Sequence, residues 1–150
     1  MQYSEGSLGR VFVIRMNDGE DFIEAIQRFV LEKGVSSGLI LFLGALREGR
    51  MVTGPREMVI PPVPHFENVE GGWETFGVAT VYPGEGGEPK IHIHTSVGRF
   101  EQSLTGCLRE KATVYLIIEA VLLELTGLEA RRVFDETTGL HLLSLDEKLP

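Results

Sequence analysis

One segment of this chain has the hydrophobic spacing of an amphipathic helix, and this limits the architectures open to it. Asp21 can begin the helix, and Gly34 is a suitable left-handed C-terminal stop. The apolar face repeats at about 3.6-residue spacing and consists of Phe22, Ile23, Ile26, Phe29 and Val30. The other apolar segments are mostly typical of strands. One helix on a mostly antiparallel sheet is an α+β architecture, and we expect a single domain over residues 1–150.

The first half of the chain predicts one strand, a hairpin and a loop. Residues 9–16 alternate and form the first strand. Residues 38–46 are continuously apolar and predict a strand buried on both faces. A turn at Glu48-Gly49 is expected to connect this strand to a shorter one over 50–53, so that the two form a hairpin. Residues 55–72 hold four of the seven prolines, so we expect a long surface loop there, with a short edge strand at 58–60.

The second half predicts two more hairpins. Residues 73–82 and 90–97 pair about a tight turn, and 98–106 are expected to be a connection. Residues 112–125 have the length of a helix or a long strand, and their β-branched content favours the strand. A last small hairpin is expected from 129–134 and 140–145.

A His-x-His pair lies on the strand predicted at 90–97. His92 and His94 alternate with Ile91 and Ile93, so both imidazoles leave the same face of the sheet. Cys107, the only cysteine, follows thirteen residues after His94. Two imidazoles and a thiolate suit zinc or another divalent transition metal, with one coordination position left open. The alternatives are that the histidines line a polar strand face and that the cysteine is core packing.

Other polar residues are weaker site candidates. Glu119 interrupts an apolar run, so its carboxylate either faces solvent or needs a partner. It is the one catalytic candidate, as an acid/base or as a partner of a metal ligand. His65 lies in the proline-rich segment, where it is either a lid ligand or simply a surface residue, and His141 is expected at the surface or an interface. Arg99 and Arg109 flank the segment leading to Cys107, where they could hold an anion or pair with acidic groups.

Charge and cysteine content exclude several function classes. With 14 Lys and Arg against 22 Asp and Glu, the net charge is −8, which disfavours direct, non-specific nucleic-acid binding. The single cysteine excludes an intramolecular disulfide. We find no signal peptide or membrane-spanning segment in the sequence, so we expect a cytoplasmic protein without a membrane partner.

Several motifs in order resemble the plants-and-prokaryotes-conserved (PPC) domain family. These motifs are Gly9 to Arg15 followed by Gly19-Glu20-Asp21, Leu43-Gly44-Ala45-Leu46, His92-Ile93-His94, Gly106-Cys107-Leu108, Glu119, Arg131-Arg132 and Thr138-Gly139. The resemblance covers nearly the whole chain and implies a compact α+β domain that assembles as a homotrimer. Plant members grip DNA through an Arg-Gly-Arg-Pro hook. This sequence lacks one, so it resembles the stand-alone prokaryotic type, and without the hook we do not expect it to bind DNA directly.

The resemblance also bears on the metal site. Prokaryotic members carry His-x-His, matched here by His92 and His94, and a later histidine where this chain has Cys107. The implied ligand set is therefore His92, His94 and Cys107, with thiolate in place of imidazole.

Two function classes follow from the sequence. The first is a trimeric metal-binding module that regulates or contacts a protein partner, favoured because no Ser-His-Asp set, P-loop or GxGxxG motif is present. The second is a small metal-dependent enzyme of hydrolase or lyase type, with a DNA-binding regulator as a further alternative. We lean toward a non-enzymatic protein.

Overall fold

The helix forms where its spacing predicts it. In the computed structural model, which describes residues 1–145, α1 spans Phe22–Lys33. The Asp21 carboxylate accepts hydrogen bonds from the backbone N–H groups of Ile23 and Glu24, and Gly34 closes the helix in the left-handed conformation. Asp21 also accepts a 3.0 Å hydrogen bond from the backbone N–H of Ala112, so the cap residue ties the helix to the sheet.

Strands make up most of the remaining described residues. They are β1 (Ser7–Asn17), β2 (Gly38–Pro55), β3 (Pro64–Pro83), β4 (Pro89–Arg99), β5 (Gln102–Thr126), β6 (Ala130–Asp135) and β7 (Leu140–Leu145). The main sheet is antiparallel with the order β1-β5-β2-β3-β4, and β4 also pairs with the beginning of β5. Strands β5, β2, β3 and β4 thus form a closed circuit, while β6 and β7 pair separately as a hairpin. The predicted α+β class, with one helix on a mostly antiparallel sheet, is confirmed.

The hairpin predicted around Glu48-Gly49 is wrong. β2 is one continuous strand that pairs with β3 on one side and β5 on the other. A register shift next to Glu48 absorbs the Glu-Gly pair as an irregularity, because ladders on both sides hold the strand in line. The expected burial on both faces is not found within a single chain, where Ile40 is fully buried while Leu41 and Leu43 are exposed.

Two predicted irregular segments are largely strand. β3 already begins at Pro64, which pairs with Pro55, so the loop covers only 56–63 and residues 58–60 form no edge strand. Prolines are tolerated at strand ends, which is where Pro55 and Pro64 lie. The connection expected at 98–106 is instead the end of β4, a tight turn and the start of β5. The 73–82 and 90–97 hairpin, the strand at 112–125 and the final hairpin are confirmed.

The core lies between the helix and one face of the sheet. Phe22, Ile26 and Val30 are buried on the helix, and the Phe22 ring lies 4.6 Å from the Phe42 ring on β2. Ile93 of β4 faces this core with 3% exposure, so its neighbours His92 and His94 leave the opposite face. No helix within residues 1–145 is long and apolar enough to span a membrane.

An ion pair joins the edge strand β1 to β5 and to the end of the helix. Arg10 donates to the Glu124 carboxylate from its backbone N–H and from Nε and Nη2, at 2.6–3.0 Å. The same Nη2 reaches the carbonyl oxygen of Lys33 at 3.0 Å. These hydrogen bonds, together with the guanidinium charge, lower the pKa of Glu124 to about 2.

Glu124→Gln is expected to lower the stability of the protein in a pH-dependent way. Because the folded-state pKa of Glu124 is depressed, its contribution is present above the ordinary carboxyl value and is lost as pH falls toward about 2. The difference in free energy of unfolding between wild type and variant should shrink steadily between about pH 5 and pH 2. Urea unfolding across that range is the measurement.

Glu101→Gln, in the exposed β4–β5 turn, is the matched control, and its difference from wild type should stay flat over the same range. A Glu124→Gln difference that is equally flat would contradict the role assigned to the ion pair.

Candidate metal centre

A row of side chains crosses four strands on the face opposite the core. Across the ladders, Phe66 pairs with Val52, Val52 with Cys107, and Cys107 with His94. Directly paired residues of antiparallel strands point to the same face, so these four side chains form one continuous surface. His92 lies two residues before His94 on that surface.

The structure brings His92, His94 and Cys107 together. Their ligand atoms all lie within 4.8 Å of one another, and the two imidazole rings are nearly perpendicular with centroids 4.8 Å apart. His94 is exposed, His92 is half-buried and Cys107 is 6% exposed. The cluster therefore lies at the edge between solvent and the packed sheet.

The donor set fits a divalent transition metal. Bond lengths of about 2.0–2.1 Å to nitrogen and 2.3 Å to sulfur place tetrahedral zinc ligands about 3.3–3.6 Å apart. The observed spacing of up to 4.8 Å is wider than that range, so the three side chains would have to close by roughly 1 Å around a bound metal. Two imidazoles and one thiolate would leave a fourth position for water or another ligand. The role of these residues as ligands remains a prediction.

Burial and nearby arginines set the protonation of the cluster. Burial lowers the pKa of His92 to about 4, and the charges of Arg132, His94 and Arg109 act in the same direction. Its imidazole is therefore neutral at physiological pH, the form that can coordinate a metal. Burial raises the pKa of the Cys107 thiol, although Arg109 opposes this. A metal would have to displace the thiol proton.

Arg132 reaches the cluster from the β6–β7 hairpin. Its Nη2 donates to the Thr80 hydroxyl at 3.0 Å and lies 3.4 Å from Nδ1 of His92. Its guanidinium also lies 5.9 Å from the centre of the Tyr82 ring. Its buried Nε has no hydrogen-bond acceptor among the described residues. Burial lowers the pKa of Arg132, but a guanidinium remains charged at neutral pH.

Gly106 allows the strands to approach closely beside Cys107. A Cβ atom at this position would overlap the backbone carbonyl oxygen of Val52. Glycine is therefore required for β2 to lie against β5 where the candidate ligands meet.

A cavity of about 620 Å³ opens beside the cluster. His92, His94, Cys107 and Arg109 line one side of it. The rest of its lining is mostly apolar and comes from β2, the 56–63 loop, the start of β3 and the C-terminal hairpin: Val52, Pro55, Pro62, Pro64, Phe66 and Leu140. Its size is typical of a small-molecule site.

The structure does not bring Glu119 to this cluster. Glu119 is exposed on β5 between Arg15 and Leu43, twelve residues from Cys107. At about 3.3 Å per residue that separation is roughly 40 Å along the strand, so Glu119 cannot exchange a proton with a ligand at the cluster. The catalytic candidacy of Glu119 is therefore unsupported. Among the described residues that line the cavity, the carboxylate is that of Glu110, which is paired with Arg50 at 2.6 Å.

The remaining candidates lie at different distances from the cavity. Arg109 lines it, whereas Arg99 lies at the end of β4 and donates to the Glu70 carbonyl. His65 is on β3, paired with Glu67 at 2.9 Å. His141 is exposed against Phe134 on the hairpin.

Two residues near the cluster were not predicted as site residues. Glu110 lies only three residues after Cys107, a spacing that could have drawn attention to it. Arg132 belongs to the Arg131-Arg132 family motif, but its separation of forty residues from His92 gave no indication that it reaches the cluster.

Comparison with protein families gives one match. The model of the Plants and Prokaryotes Conserved (PCC) domain matches residues 3–126. None of the curated protein sequences matches this chain.

Solved structures share the whole fold. A metal-containing protein from Archaeoglobus fulgidus is 28% identical with a TM-score of 0.84, over 96% of this chain and 99% of that one. A plant- and prokaryote-conserved (PPC) protein from Pyrococcus horikoshii is 27% identical with a TM-score of 0.81, over 99% and 100% of the two chains. A Bacteroides thetaiotaomicron protein with a provisional DNA-binding name is 21% identical with a TM-score of 0.77, over 95% and 99%, a likeness that shows the fold alone.

Proposed function

The chain belongs to the Plants and Prokaryotes Conserved domain family, as its sequence predicts, and from that premise we propose that it is a homotrimeric zinc-binding protein. His92, His94 and Cys107 hold the metal in this proposal. Because these three residues line the cavity, a ligand in the cavity could reach the bound metal, and the protein acts as a ligand-dependent regulatory or protein-interaction module.

One observation carries the metal proposal. Three residues from two strands place two imidazoles and a thiol within 4.8 Å of one another, on a framework that main-chain ladders hold in register. A metal-containing protein from Archaeoglobus fulgidus has the same fold, which supports the proposal. Zinc is favoured over harder ions because thiolate and imidazole are the softer protein ligands.

Zinc is expected to bind at one ion per chain and to depend on all three residues. His92→Ala and His94→Ala should each lower zinc affinity at least tenfold, because each removes a ligand. Cys107→Ala should lower it as well, and Cys107→His should recover part of the loss. Competition with a chromophoric chelator, on protein prepared without an affinity tag, measures these affinities.

His141→Ala is the matched control, because His141 is an exposed histidine on the nearby hairpin. Zinc binding that is unchanged in both His92→Ala and His94→Ala would show that the metal is held elsewhere.

An exposed apolar surface supports the trimer proposal. Leu41 pairs with Val78 across β2 and β3, and Leu43 pairs with Phe76. These four side chains are 41–68% exposed on one face of the sheet. An apolar face of this kind is typical of a surface that a partner covers, and the family resemblance makes the partner two further copies of the chain.

In solution the protein is expected to have a mass of about 50 kDa, three times the 16.6 kDa chain. Phe76→Glu should reduce this mass, because a charge would be buried without a partner in the interface. Multi-angle light scattering at micromolar concentration is the measurement. Leu31→Glu, at an exposed position on the helix, should leave the mass unchanged. A wild-type monomer would refute the trimer.

Direct DNA binding is not part of the proposed function. The net charge of −8 repels phosphate backbones, and the sequence has no Arg-Gly-Arg-Pro hook. Fluorescence anisotropy with an AT-rich duplex should therefore detect no sub-micromolar binding at physiological salt. Saturable binding in that range would support a DNA regulator instead.

The cavity favours a small metal-dependent enzyme as the second candidate. A metal with an open position can polarise a carbonyl or activate water. Glu110 is the carboxylate among the described lining residues, and its pairing with Arg50 favours a fixed anion over a proton carrier. Zinc-dependent turnover of a carboxylic ester that is lost in both His92→Ala and His94→Ala would select the enzyme.

A further inference from the structure

Among residues 1–145, two arginines at the candidate metal centre have no carboxylate partner, although this chain is acidic. Acidic residues outnumber Lys and Arg by 22 to 14, and several cations form ion pairs, as Arg10, Arg47 and Arg50 do. Within residues 1–145, by contrast, Arg109 and Arg132 form no ion pair with Asp or Glu. Arg132 instead contacts Thr80 and His92, and Arg109 lies beside the Cys107 thiol.

Both arginines line a second cavity of about 410 Å³. Lys90, His92 and His141 line it as well, and no Asp or Glu is among its described lining residues. Lys90 is paired with Glu88 at 3.0 Å, so the two arginines are its uncompensated charges. We call this space the basic recess. Such an excess of N–H donors and positive charge favours an oxyanion.

The basic recess and the apolar cavity are adjacent. His92, Arg109 and Leu140 line both of them. A ligand at this junction would therefore meet guanidinium groups on one side and the apolar wall around Phe66 and the prolines on the other. The open metal position would lie beside the same junction.

From this juxtaposition we infer that the paired cavities bind a small amphipathic anion. Its oxyanion head, a carboxylate or a phosphate, is held by Arg109 and Arg132 in the basic recess, and its apolar body fills the cavity against Phe66 and Pro64. The inference deepens the proposed function and rests on it for one contact, that of the head with the metal. The arginine contacts do not require the metal.

The volume and the charge argue for a small ligand over a polymer. About 620 Å³ accommodates a body the size of a phenyl or branched alkyl group with its linker. A nucleic acid or an acidic protein would need a broad basic surface, whereas the positive groups here are confined to a recess on a chain of net charge −8. The ligand is therefore recognised inside the cavities.

Titration calorimetry with the full chain tests the inference. The probes are 3-phenylpropionate, 2-phenylethyl phosphate, inorganic phosphate and the neutral 3-phenylpropan-1-ol, each added to zinc-loaded and to metal-free protein. At least one of the two aromatic anions should bind at least tenfold more tightly than both the alcohol and inorganic phosphate. Comparing the affinities of 3-phenylpropionate and 2-phenylethyl phosphate shows whether the recess prefers a carboxylate or a phosphate head group.

Arg109→Met and Arg132→Met should each weaken binding of the preferred anion about tenfold or more, because each removes a charged hydrogen-bond donor. Arg109→Lys should recover part of the affinity through its charge. Arg47→Met is the matched control, since Arg47 is paired with Asp18 away from both cavities, and it should leave anion affinity unchanged. Thermal unfolding of each variant identifies any that fails to fold. If Arg132→Met does not fold, the Arg109 variants still test the inference, because Arg109 is exposed and its substitution should not disturb the core.

The two proposals can fail separately. Zinc binding without selective binding of either aromatic anion would overturn the inference and leave the metal site standing. Arginine-dependent anion binding to a protein that takes up no zinc would support the inference and refute the metal site. Equal affinity for inorganic phosphate and the aromatic anions would overturn the apolar part of the inference.

Discussion

Pairing of β5 with strands on both sides is the constraint on which the rest of the structure depends. At Cys107 the β5 backbone pairs with Val52 of β2 on one side and His94 of β4 on the other. Because β3 joins β2 to β4, this double pairing closes the four strands into a circuit. The sulfur and the imidazoles consequently project from a framework whose positions are fixed by main-chain hydrogen bonds. Preorganisation of this kind reduces the entropy lost when several side chains must meet at one metal.

Local patterns predicted the parts of the fold that local chemistry controls. The helix needs only its own spacing, Asp21 at one end and Gly34 at the other, so its bounds could be read from the sequence. The same is true of the His-x-His pair, since alternation along a strand decides which face His92 and His94 share. Cys107 was found as a candidate because it is the only cysteine, and the ladder between β4 and β5 explains its proximity to His94.

Features that depend on distant pairing could not be predicted in this way. The Glu48-Gly49 pair resembles a turn locally, but β2 continues through it because β3 and β5 pair with β2 on either side. The residues next to Glu48 and Gly49 in the sequence give no indication of this pairing. The prolines of residues 55–72 suggested a loop throughout, yet two of them mark the paired ends of β2 and β3. Arg132 reaches His92 only because a separate hairpin folds back against the sheet, across forty residues of sequence.

The charges around the cluster explain why a thiol suits this chain. Arg109 and Arg132 both lower the pKa of His92, which means that they repel any positive charge placed there, including that of a metal ion. A thiolate from Cys107 would offset this repulsion, whereas a third imidazole would be a neutral ligand and would leave the repulsion between the metal and the two guanidinium groups in place. In the proposed site the same positive charge would attract an anion to the cavities beside the metal. Metal and anion should therefore bind with positive coupling, because each reduces the electrostatic penalty that the other meets. By linkage, the anion should raise the affinity for zinc by the same factor by which zinc raises the affinity for the anion.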